Sequence, residues 1–376
     1  MIDSEIMVGV GLRITVAKDE LAAKLALVAR GVSTRTAVLV LGGIQLRAED
    51  GRLHLAATDM EVSLRATLEA QVADEGTVVV PGRLLLDIAR SLPESEVTLE
   101  HRPEEAVVVV TAGSATYRVH TYSAEDFPRL PDVDAVPLHT VDRDVLVETI
   151  ARVGRSASRD ESRPVLTGIL VRFEPGKVVM AATDSYRLAV KETTVDGDLP
   201  ELEAIIPARA LQELARIAAG ADEIQLGVLD NHVVFGTDGT WLTTRRIDGQ
   251  FPNYRQLLPE QFEHELTLPR EELLEVVRRV SLMAQRNSPL RLRFAEGELT
   301  VSAITQDVGE ARESLPASYS ADPLEIGFNA DFLRDGLESV DSDSLRFKLI
   351  SPLRPAVLEG ETDDYVYLIM PIRLAG

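Results

Sequence analysis

One amphipathic helix sequence occurs twice in this chain, and this repeat constrains the fold more than any other feature. Residues 80–90 read VPGRLLLDIAR, and residues 206–216 read IPARALQELAR. Both stretches begin with an apolar residue and a proline, and arginines follow two and nine positions after that proline. A chain that encodes the same helix at two places is predicted to fold as repeated units.

A second repeated element is a strand, a glycine turn and another strand, and it occurs three times. The sequences are IQLRAEDGRLHL, ILVRFEPGKVVM and LRLRFAEGELTV, and each has an arginine four positions before its glycine. Alternating apolar residues around a short glycine turn are typical of a β-hairpin. The turn glycines are Gly51, Gly176 and Gly297, so the repeat is about 125 residues long.

Two helices accompany each hairpin. We predict amphipathic helices at 19–31, 143–157 and 270–285 before the hairpins. A second helix follows each hairpin, and the third of these begins near Asn329 in GFNADFLRDGLESV. The sequence therefore predicts an α+β fold of three domain-sized units, each with two helices and roughly eight short strands. The predicted domains are 1–135, 136–263 and 264–376.

The repeat is open to two interpretations. One is a gene triplication without functional meaning. The other is a scaffold that requires pseudo-symmetry, such as an arc or a ring.

Length, cysteine content and charge restrict the class of protein. The 376 residues exceed the roughly 250–300 at which a single core stops growing. The absence of cysteine excludes disulfides and thiolate metal sites. With no signal-peptide pattern and no apolar stretch of about 18 residues, we predict a soluble cytoplasmic protein without membrane association. The net charge of −22 argues against nucleic-acid binding unless the acidic body carries a basic face.

Basic residues recur at matching positions of the predicted helices. The two arginines of each repeated helix are seven residues apart, close to two turns, so each pair lies on one face. Solvation is the ordinary explanation for one exposed arginine, but repetition in the same register favours a common basic surface. The predicted members are Lys24, Arg35, Arg83, Arg90, Arg152, Arg163, Arg209, Arg216 and Arg278.

No catalytic set is evident in the sequence. Asp59 and Asp184 end equivalent strands, where an aspartate acts either as a general base or as a turn-forming residue that binds local backbone N–H groups. The six histidines are scattered without metal-ligand spacing, and no phosphate-binding glycine loop is present. We therefore predict no enzymatic activity, no cofactor and no metal.

Taken together, these residues resemble the bacterial sliding clamp family, the β subunit of the replicative DNA polymerase. The resemblance covers nearly the whole chain. Its landmarks are LAATDMEV, VPGRLLLDIARSLP, EDFPRL, AATDSYRLAV, IDGQFPNYRQLLP, IGFNADFL and the terminal YLIMPIRL.

The resemblance implies a head-to-tail homodimer whose six domains close a ring around duplex DNA, with the basic helices facing the DNA. Binding would be independent of sequence, because the linkage to DNA is topological. The implied protein partners are the catalytic subunit of the replicative polymerase, the clamp loader, and other polymerases and repair proteins.

The resemblance also implies a peptide-binding pocket between the second and third domains. Arg187 and Arg373 are candidates to hold a peptide carbonyl or carboxylate. From the residues alone, a buried last strand is the favoured interpretation of YLIMPIRL. The matching positions are Leu166, Thr183, Ser185, Tyr186, Arg187, Leu188, Pro252, Leu257, Met370, Pro371, Ile372, Arg373 and Leu374.

For the dimer contact, the resemblance implies Leu282, Glu310 and Glu313 on the third domain. Arg118 is the basic residue evident at the edge of the first domain. Two alternatives to a replicative clamp stay open: an enzyme that uses Asp59 or Asp184, and a clamp-like paralogue with a non-replicative, protein-docking role.

Overall fold

The computed structural model describes residues 11–33, 37–133, 136–197, 199–284, 288–306, 309–362 and 364–374. Within these ranges the fold is α+β, with short helices and many short strands. The α-helices are α1 (Lys18–Val28), α2 (Gly82–Ser91), α3 (Arg143–Gly154), α4 (Pro164–Thr167), α5 (Ala208–Ile217), α6 (Arg270–Ser281) and α7 (Ala330–Ser339). Short 3-10 helices occur at Ala29–Gly31, Leu39–Gly42, Pro103–Glu105 and Tyr254–Leu257.

The strands follow the same order in each repeat. Those of the first repeat are β1 (Arg13–Ala17), β2 (Gly43–Glu49), β3 (Arg52–Thr58), β4 (Val62–Glu69), β5 (Gln71–Asp74), β6 (Gly76–Pro81), β7 (Glu96–Arg102), β8 (Val107–Ala112) and β9 (Ala115–His120). Those of the second are β10 (Leu138–Asp142), β11 (Gly168–Glu174), β12 (Lys177–Thr183), β13 (Arg187–Thr194), β14 (Leu202–Pro207), β15 (Glu223–Val228), β16 (His232–Thr237) and β17 (Thr240–Arg245). Those of the third are β18 (His264–Pro269), β19 (Leu290–Ala295), β20 (Glu298–Thr305), β21 (Gly309–Pro316), β22 (Leu324–Phe328), β23 (Ser344–Leu349), β24 (Ala356–Glu359) and β25 (Tyr365–Ile369).

The strands form four antiparallel sheets, and two of these sheets combine strands from successive repeats. The eight-stranded sheets have the orders β10-β15-β16-β17-β4-β3-β2-β6 and β14-β11-β12-β13-β25-β24-β23-β18. In them β4 pairs with β17, and β13 pairs with β25. The other two sheets are β5-β1-β7-β8-β9 and β21-β20-β19-β22, each drawn from a single repeat.

The three predicted hairpins are confirmed as β2–β3, β11–β12 and β19–β20. Each turn glycine has a positive φ, from 74° to 76°, which glycine adopts without the steric cost of a Cβ. Each glycine carbonyl also accepts a long-range backbone hydrogen bond from an equivalent residue. These donors are Ala70, Val195 and Ala317, at 2.9, 3.0 and 3.1 Å. The repeats therefore match at the level of single hydrogen bonds.

The first helix of each repeat ends about three residues earlier than the apolar pattern predicts. Val28, Gly154 and Ser281 are the last α-helical residues. Beyond them the backbone makes i→i−3 bonds, such as Val32 N–H to the Ala29 carbonyl and Ala157 N–H to the Gly154 carbonyl. These tighter bonds satisfy carbonyls that have no partner within the α-helix.

The chain packs as two compact units, Met1–Arg143 with Glu213–Arg246, and Asp144–Gln212 with Ile247–Gly376. These units follow the shared sheets, whereas the predicted domains follow the repeat, so the predicted domain boundaries stay a prediction. In the first unit, Leu21, Leu25 and Val28 of α1 share one buried cluster with Leu85 of α2. Each fully buried leucine contributes roughly 1.5–3 kcal/mol to stability. Among the described residues, no helix is long and apolar enough to cross a membrane.

Candidate functional sites

Asp59 and Asp184 close the same turn in two repeats. The Asp59 Oδ1 atom accepts the backbone N–H groups of Glu61 and Val62 at 3.1 and 2.9 Å. Asp184 Oδ1 accepts those of Tyr186 and Arg187 at 2.9 and 3.0 Å. These bonds confirm the turn-forming interpretation of both aspartates.

The Asp184 turn gives Tyr186 its position. Thr183 Oγ1 donates to the Arg187 carbonyl at 2.6 Å and accepts the Ser185 N–H at 3.2 Å, which fixes the ends of the turn. Ser185 adopts a left-handed conformation, with φ 82°, and the chain reverses there. The Tyr186 side chain is consequently 61% exposed beside the buried strand β13.

Arg187 lies at the centre of a buried polar cluster in the second unit. Its Nε donates to Asp184 Oδ2 at 3.0 Å, and its Nη1 donates to Asp335 Oδ2 at 2.5 Å. The guanidinium carbon is 4.3 Å from the centre of the Phe332 ring. Burial alone would lower the pKa of Arg187, but Tyr367 and Asp335 raise it overall, so the side chain stays cationic. These internal contacts engage the Arg187 guanidinium, and its predicted contact with a peptide stays a prediction.

An aromatic pair forms the exposed part of this site. Tyr186 stacks on Phe332, with ring centroids 6.5 Å apart. The Met370 N–H donates to the Tyr186 carbonyl at 2.8 Å and thereby brings the C-terminal segment alongside. Met370 is 39% exposed and Ile372 is 37% exposed. The structure thus gathers an exposed apolar surface from the turn before β13, from α7 and from residues 370–372.

Gly327 allows the C-terminal segment to lie close to β22. The Ile372 N–H donates to the Gly327 carbonyl at 2.7 Å. A Cβ at Gly327 would lie 2.6 Å from Leu374 Cδ2 and 2.9 Å from the Ile372 carbonyl oxygen. Leu374 is thereby packed against the strand, while Pro371 is partly buried beside it.

Two further segments are connected to this surface through contacts with Ser185 and Leu188. Arg163 Nη1 donates to Ser185 Oγ at 3.0 Å, and the Arg163 carbonyl accepts the Leu166 N–H, so α4 lies next to the turn. Leu188 is 1% exposed and belongs to a buried cluster with Tyr254, in the segment that carries Pro252 and Leu257. Leu257 itself is 50% exposed.

The predicted pocket residues therefore differ in what they offer to a ligand. Thr183, Arg187 and Leu188 are buried and support the surface from below. Arg373 is exposed and has no ion-pair partner in the described ranges, which makes it the free cation of this set. Sequence analysis missed Phe332 and Asp335. The signal that pointed to them is the repeated second helix, which places both on α7.

The predicted basic surface divides into paired and uncompensated cations. Arg35 lies outside the described residues, and Arg209 is exposed on α5. Carboxylates pair with Arg152 (Glu148 and Asp341), Arg163 (Asp160), Arg216 (Glu213) and Arg278 (Glu275 and Glu338). Lys24 donates instead to the Asp238 carbonyl at 3.0 Å. Arg83 and Arg90 are exposed on α2 without an ion-pair partner among the described residues.

The predicted dimer residues lie on or beside β21. Leu282 is 80% exposed at the end of α6. Glu310 is exposed on the strand, and Glu313 accepts hydrogen bonds from Nε and Nη2 of Arg279, which lower the pKa of that carboxyl. Arg118, on β9, pairs with Glu105 within its own chain.

The described residues contain no cluster of histidine or carboxylate side chains that could hold a metal ion. Burial lowers the pKa of His54, His101 and His232, and these side chains lie in separate strands.

Three α+β repeats joined through shared antiparallel sheets define a clamp-type protein. Three family profiles match the chain in succession: the N-terminal domain of the DNA polymerase III beta subunit at residues 12–131, the central domain at 140–253 and the C-terminal domain at 255–373. The chain belongs to this family, the bacterial beta sliding clamps, which confirms the resemblance and the predicted fold class.

Individual relatives agree with this assignment. The beta sliding clamp of Streptomyces coelicolor is 37% identical over 97% of this chain and 100% of its own length. That of Synechococcus elongatus is 34% identical over 96% of this chain and 100% of its own. A crystal structure of a sliding clamp (DNA polymerase III subunit beta) from Pseudomonas aeruginosa, bound to griselimycin, is 29% identical with a TM-score of 0.88, over 97% of this chain and 100% of that one. These likenesses favour a sliding clamp over the paralogue alternative.

Proposed function

We propose that two copies of this chain close head to tail into a ring around duplex DNA and tether the replicative polymerase and other proteins to it. The observation that carries the proposal is a pair of unpaired strand edges. Strand β9 pairs only with β8, and β21 pairs only with β20, within the described residues. An unpaired edge presents free N–H and C=O groups to another strand.

The repeat supports β9 and β21 as partners. Strands β4 and β13 occupy equivalent positions, and each pairs with an equivalent strand of the following repeat, β17 or β25. In the third repeat the position of β4 and β13 is occupied by β21. In the first repeat the position of β17 and β25 is occupied by β9. Joining β21 of one copy to β9 of a second copy repeats the same antiparallel junction.

The register of that junction follows from the register of the other two. Thr243 lies opposite Ser63, and Leu368 lies opposite Leu188. Aligning the repeats through their hairpins, Glu310 is equivalent to Ser63 and Arg118 to Thr243. Glu310 of one copy therefore lies opposite Arg118 of the other, an opposite-charge pair of the kind that stabilises antiparallel strands.

One residue just after the first helix of each repeat indicates how the junction between copies differs from the two junctions within the chain. At the end of the first helix, Arg30 pairs with Glu213 and Arg155 pairs with Glu338. The equivalent position in the third repeat is Leu282, which is 80% exposed. An apolar contact replaces an ion pair there, so the junction between copies buries the leucine.

The basic helix faces support DNA as the occupant of the ring. The acidic body has a net charge of −22, and the exposed arginines of α2 and α5 lie on repeated faces. A topological link needs no tight phosphate contact, and weak contacts leave the ring free to slide. We infer a processivity factor rather than an enzyme, because the strand-end aspartates serve turns.

The apolar surface around Tyr186 and Met370 supports docking of short peptides from partner proteins. It combines exposed apolar side chains with a free cation, Arg373. Methionine is deformable and suits varied ligands. The clamp loader, the catalytic subunit of the polymerase and repair proteins are the proposed sources of such peptides.

Retention on DNA tests the ring. After loading, the protein is expected to stay on nicked circular DNA and to be lost when the circle is cut once. Retention that survives linearisation would contradict the topological link. A mass in solution of twice 41.1 kDa is the accompanying control for ring closure.

A further inference from the structure

The cations that face the proposed DNA are not equivalent, because four of the nine, Arg152, Arg163, Arg216 and Arg278, already pair with carboxylates. Arg152 donates to Glu148 at 2.7 Å, and Arg278 donates to Glu275 at 2.8 Å and to Glu338 at 3.0 Å. Arg216 donates to Glu213 at 2.6 Å. A guanidinium that already pairs with a carboxylate neutralises a phosphate less effectively, so it releases fewer of the cations condensed on the DNA.

Helix α2 is different. Arg83 and Arg90 are exposed, and neither has an ion-pair partner among the residues that the structure describes. Lys24 of the neighbouring helix α1 donates to a backbone carbonyl and also keeps its charge uncompensated. Helices α1 and α2 share one buried cluster through Leu21, Leu25 and Leu85. The first repeat therefore carries uncompensated positive charge on a packed pair of helices.

The acidic residue at one position of the second helix explains why arginines of the later repeats are paired with carboxylates. Glu213 is equivalent to Asp87 of α2, and it lies between Arg30 and Arg216. Asp335, at the equivalent position in α7, pairs with Arg155 and Arg187. Asp87 is exposed and makes no ion pair with Arg83 or Arg90. The two arginines of α2 thus keep their donors free.

We propose that sequence-independent contact with the DNA phosphates is concentrated on α2 of the first repeat, through Arg83 and Arg90. This inference rests on the proposed encirclement of DNA. The two arginines are seven residues apart, about 10 Å along the helix axis, so they reach two different phosphates. The arginines of α3 and α6 contribute little, because their carboxylate partners compete with phosphate.

The salt dependence of duplex binding separates these contributions. Fluorescence anisotropy of a short labelled duplex, titrated with the full chain at several salt concentrations, gives the slope of log affinity against log salt. Each phosphate contact contributes about 0.9 to that slope. We expect Arg83→Gln with Arg90→Gln to reduce the slope by about 2. The variant Arg83→Lys with Arg90→Lys should keep the slope, because a point charge suffices for phosphate.

The matched control removes one neutralised pair. Glu275→Gln with Arg278→Gln leaves the net charge unchanged and should keep the wild-type slope. Asp87→Asn should strengthen binding, because it removes the acidic group between the two arginines. An unchanged slope in the α2 glutamine variant, or an equal loss in the α6 control, would overturn the inference while leaving the ring intact. No salt-dependent duplex binding by the wild-type chain would also overturn the inference, whereas the proposed ring is overturned by retention on DNA that survives linearisation.

Discussion

The guanidinium carbon of Arg187 lies 4.3 Å from the centre of the Phe332 ring, and the exposed Tyr186 ring stacks on the same phenylalanine. Arg187 is therefore a buried cation that contacts Phe332 of the aromatic pair, and its contact with an incoming peptide stays a prediction. This relationship divides the predicted pocket into supporting residues and contacting residues, and the two classes respond differently to substitution.

Arg187 and Arg373 form a matched pair for testing that division. Arg187→Ala removes the ion-pair partner of Asp184 and the closer of the two partners of Asp335, so we expect a loss of about 3–5 kcal/mol in the free energy of unfolding. Arg373→Ala removes an exposed, unpaired side chain and should leave stability within about 0.5 kcal/mol of wild type. Chemical denaturation measures both values. Equal stability of the two variants would show that the Arg187 cluster has no structural role.

The C-terminal segment is expected to be essential for peptide binding. Deletion from Met370 onward removes one wall of the apolar surface together with the bonds to Tyr186 and Gly327, so binding of clamp-binding peptides should be abolished. Met370→Ala should weaken binding by roughly 1–2 kcal/mol. Isothermal calorimetry measures both, with Arg83→Glu on α2 as the control that keeps full affinity. Full-strength binding by the truncated, folded chain would mean that the surface is not the peptide site.

Phe332 offers a milder test of the same surface. Phe332→Ala removes the ring on which Tyr186 stacks, and we expect peptide affinity to fall by about 0.5–1.5 kcal/mol or more. Folding should persist, because the Arg187 ion pairs with Asp184 and Asp335 remain. Peptide titration together with a denaturation curve checks both expectations. Unchanged affinity would remove the aromatic pair from the binding surface.

The proposed strand register predicts a charge-swap rescue at the dimer junction. Arg118→Glu should place two carboxylates opposite each other and raise the dissociation constant of the dimer. Combining it with Glu310→Arg restores an opposite-charge pair in the reverse order and should recover most of the affinity. Sedimentation at a series of concentrations provides the measurement. If the double variant still dimerises weakly while Glu310→Arg alone keeps the wild-type dissociation constant, the strands must pair in a different register.

The pair of Lys191 and Asp364 predicts an acid-sensitive contribution to stability. Lys191 is 5% exposed. Burial would raise the pKa of Asp364, but the hydrogen bond from Lys191 lowers it below its ordinary value. As the pH falls, Asp364 therefore binds a proton at a higher pH in the unfolded state than in the folded state. The stabilisation by this ion pair is present above about pH 4 and is lost as the pH falls through the lowered pKa. Denaturation measured between pH 7 and pH 3 should show a smaller decrease in the free energy of unfolding for the double variant Lys191→Met with Asp364→Asn than for wild type.

Much of the fold followed from local sequence. The hairpin turns at Gly51, Gly176 and Gly297 depend on a few consecutive residues, because a left-handed turn requires glycine wherever it occurs. The turns of Asp59 and Asp184 depend on bonds to residues two and three positions away. Helix ends were less predictable, since apolar periodicity continues through the i→i−3 turns that end each first helix.

Only part of the candidate peptide site could be predicted from the sequence. Position in the repeat and family resemblance pointed to Tyr186 and Met370, but nothing local indicated that Arg187 is enclosed by Asp184, Asp335 and Phe332. Asp335 lies 148 positions from Arg187 in the chain. Such partners are set by the packing of one repeat against the next.

The sequence by itself determined the repeated unit, its hairpins and the positions of its basic side chains, because these are properties of short segments. Tertiary structure decided which of those cations also meet carboxylates that are distant in the chain. Arg152 meets Asp341, 189 positions away, whereas Arg83 and Arg90 meet no carboxylate in the described residues. Coulombic pairing depends on distance in space, so Arg216 pairs with Glu213, whereas Arg90, at the equivalent position of the first repeat, has no ion-pair partner among the described residues.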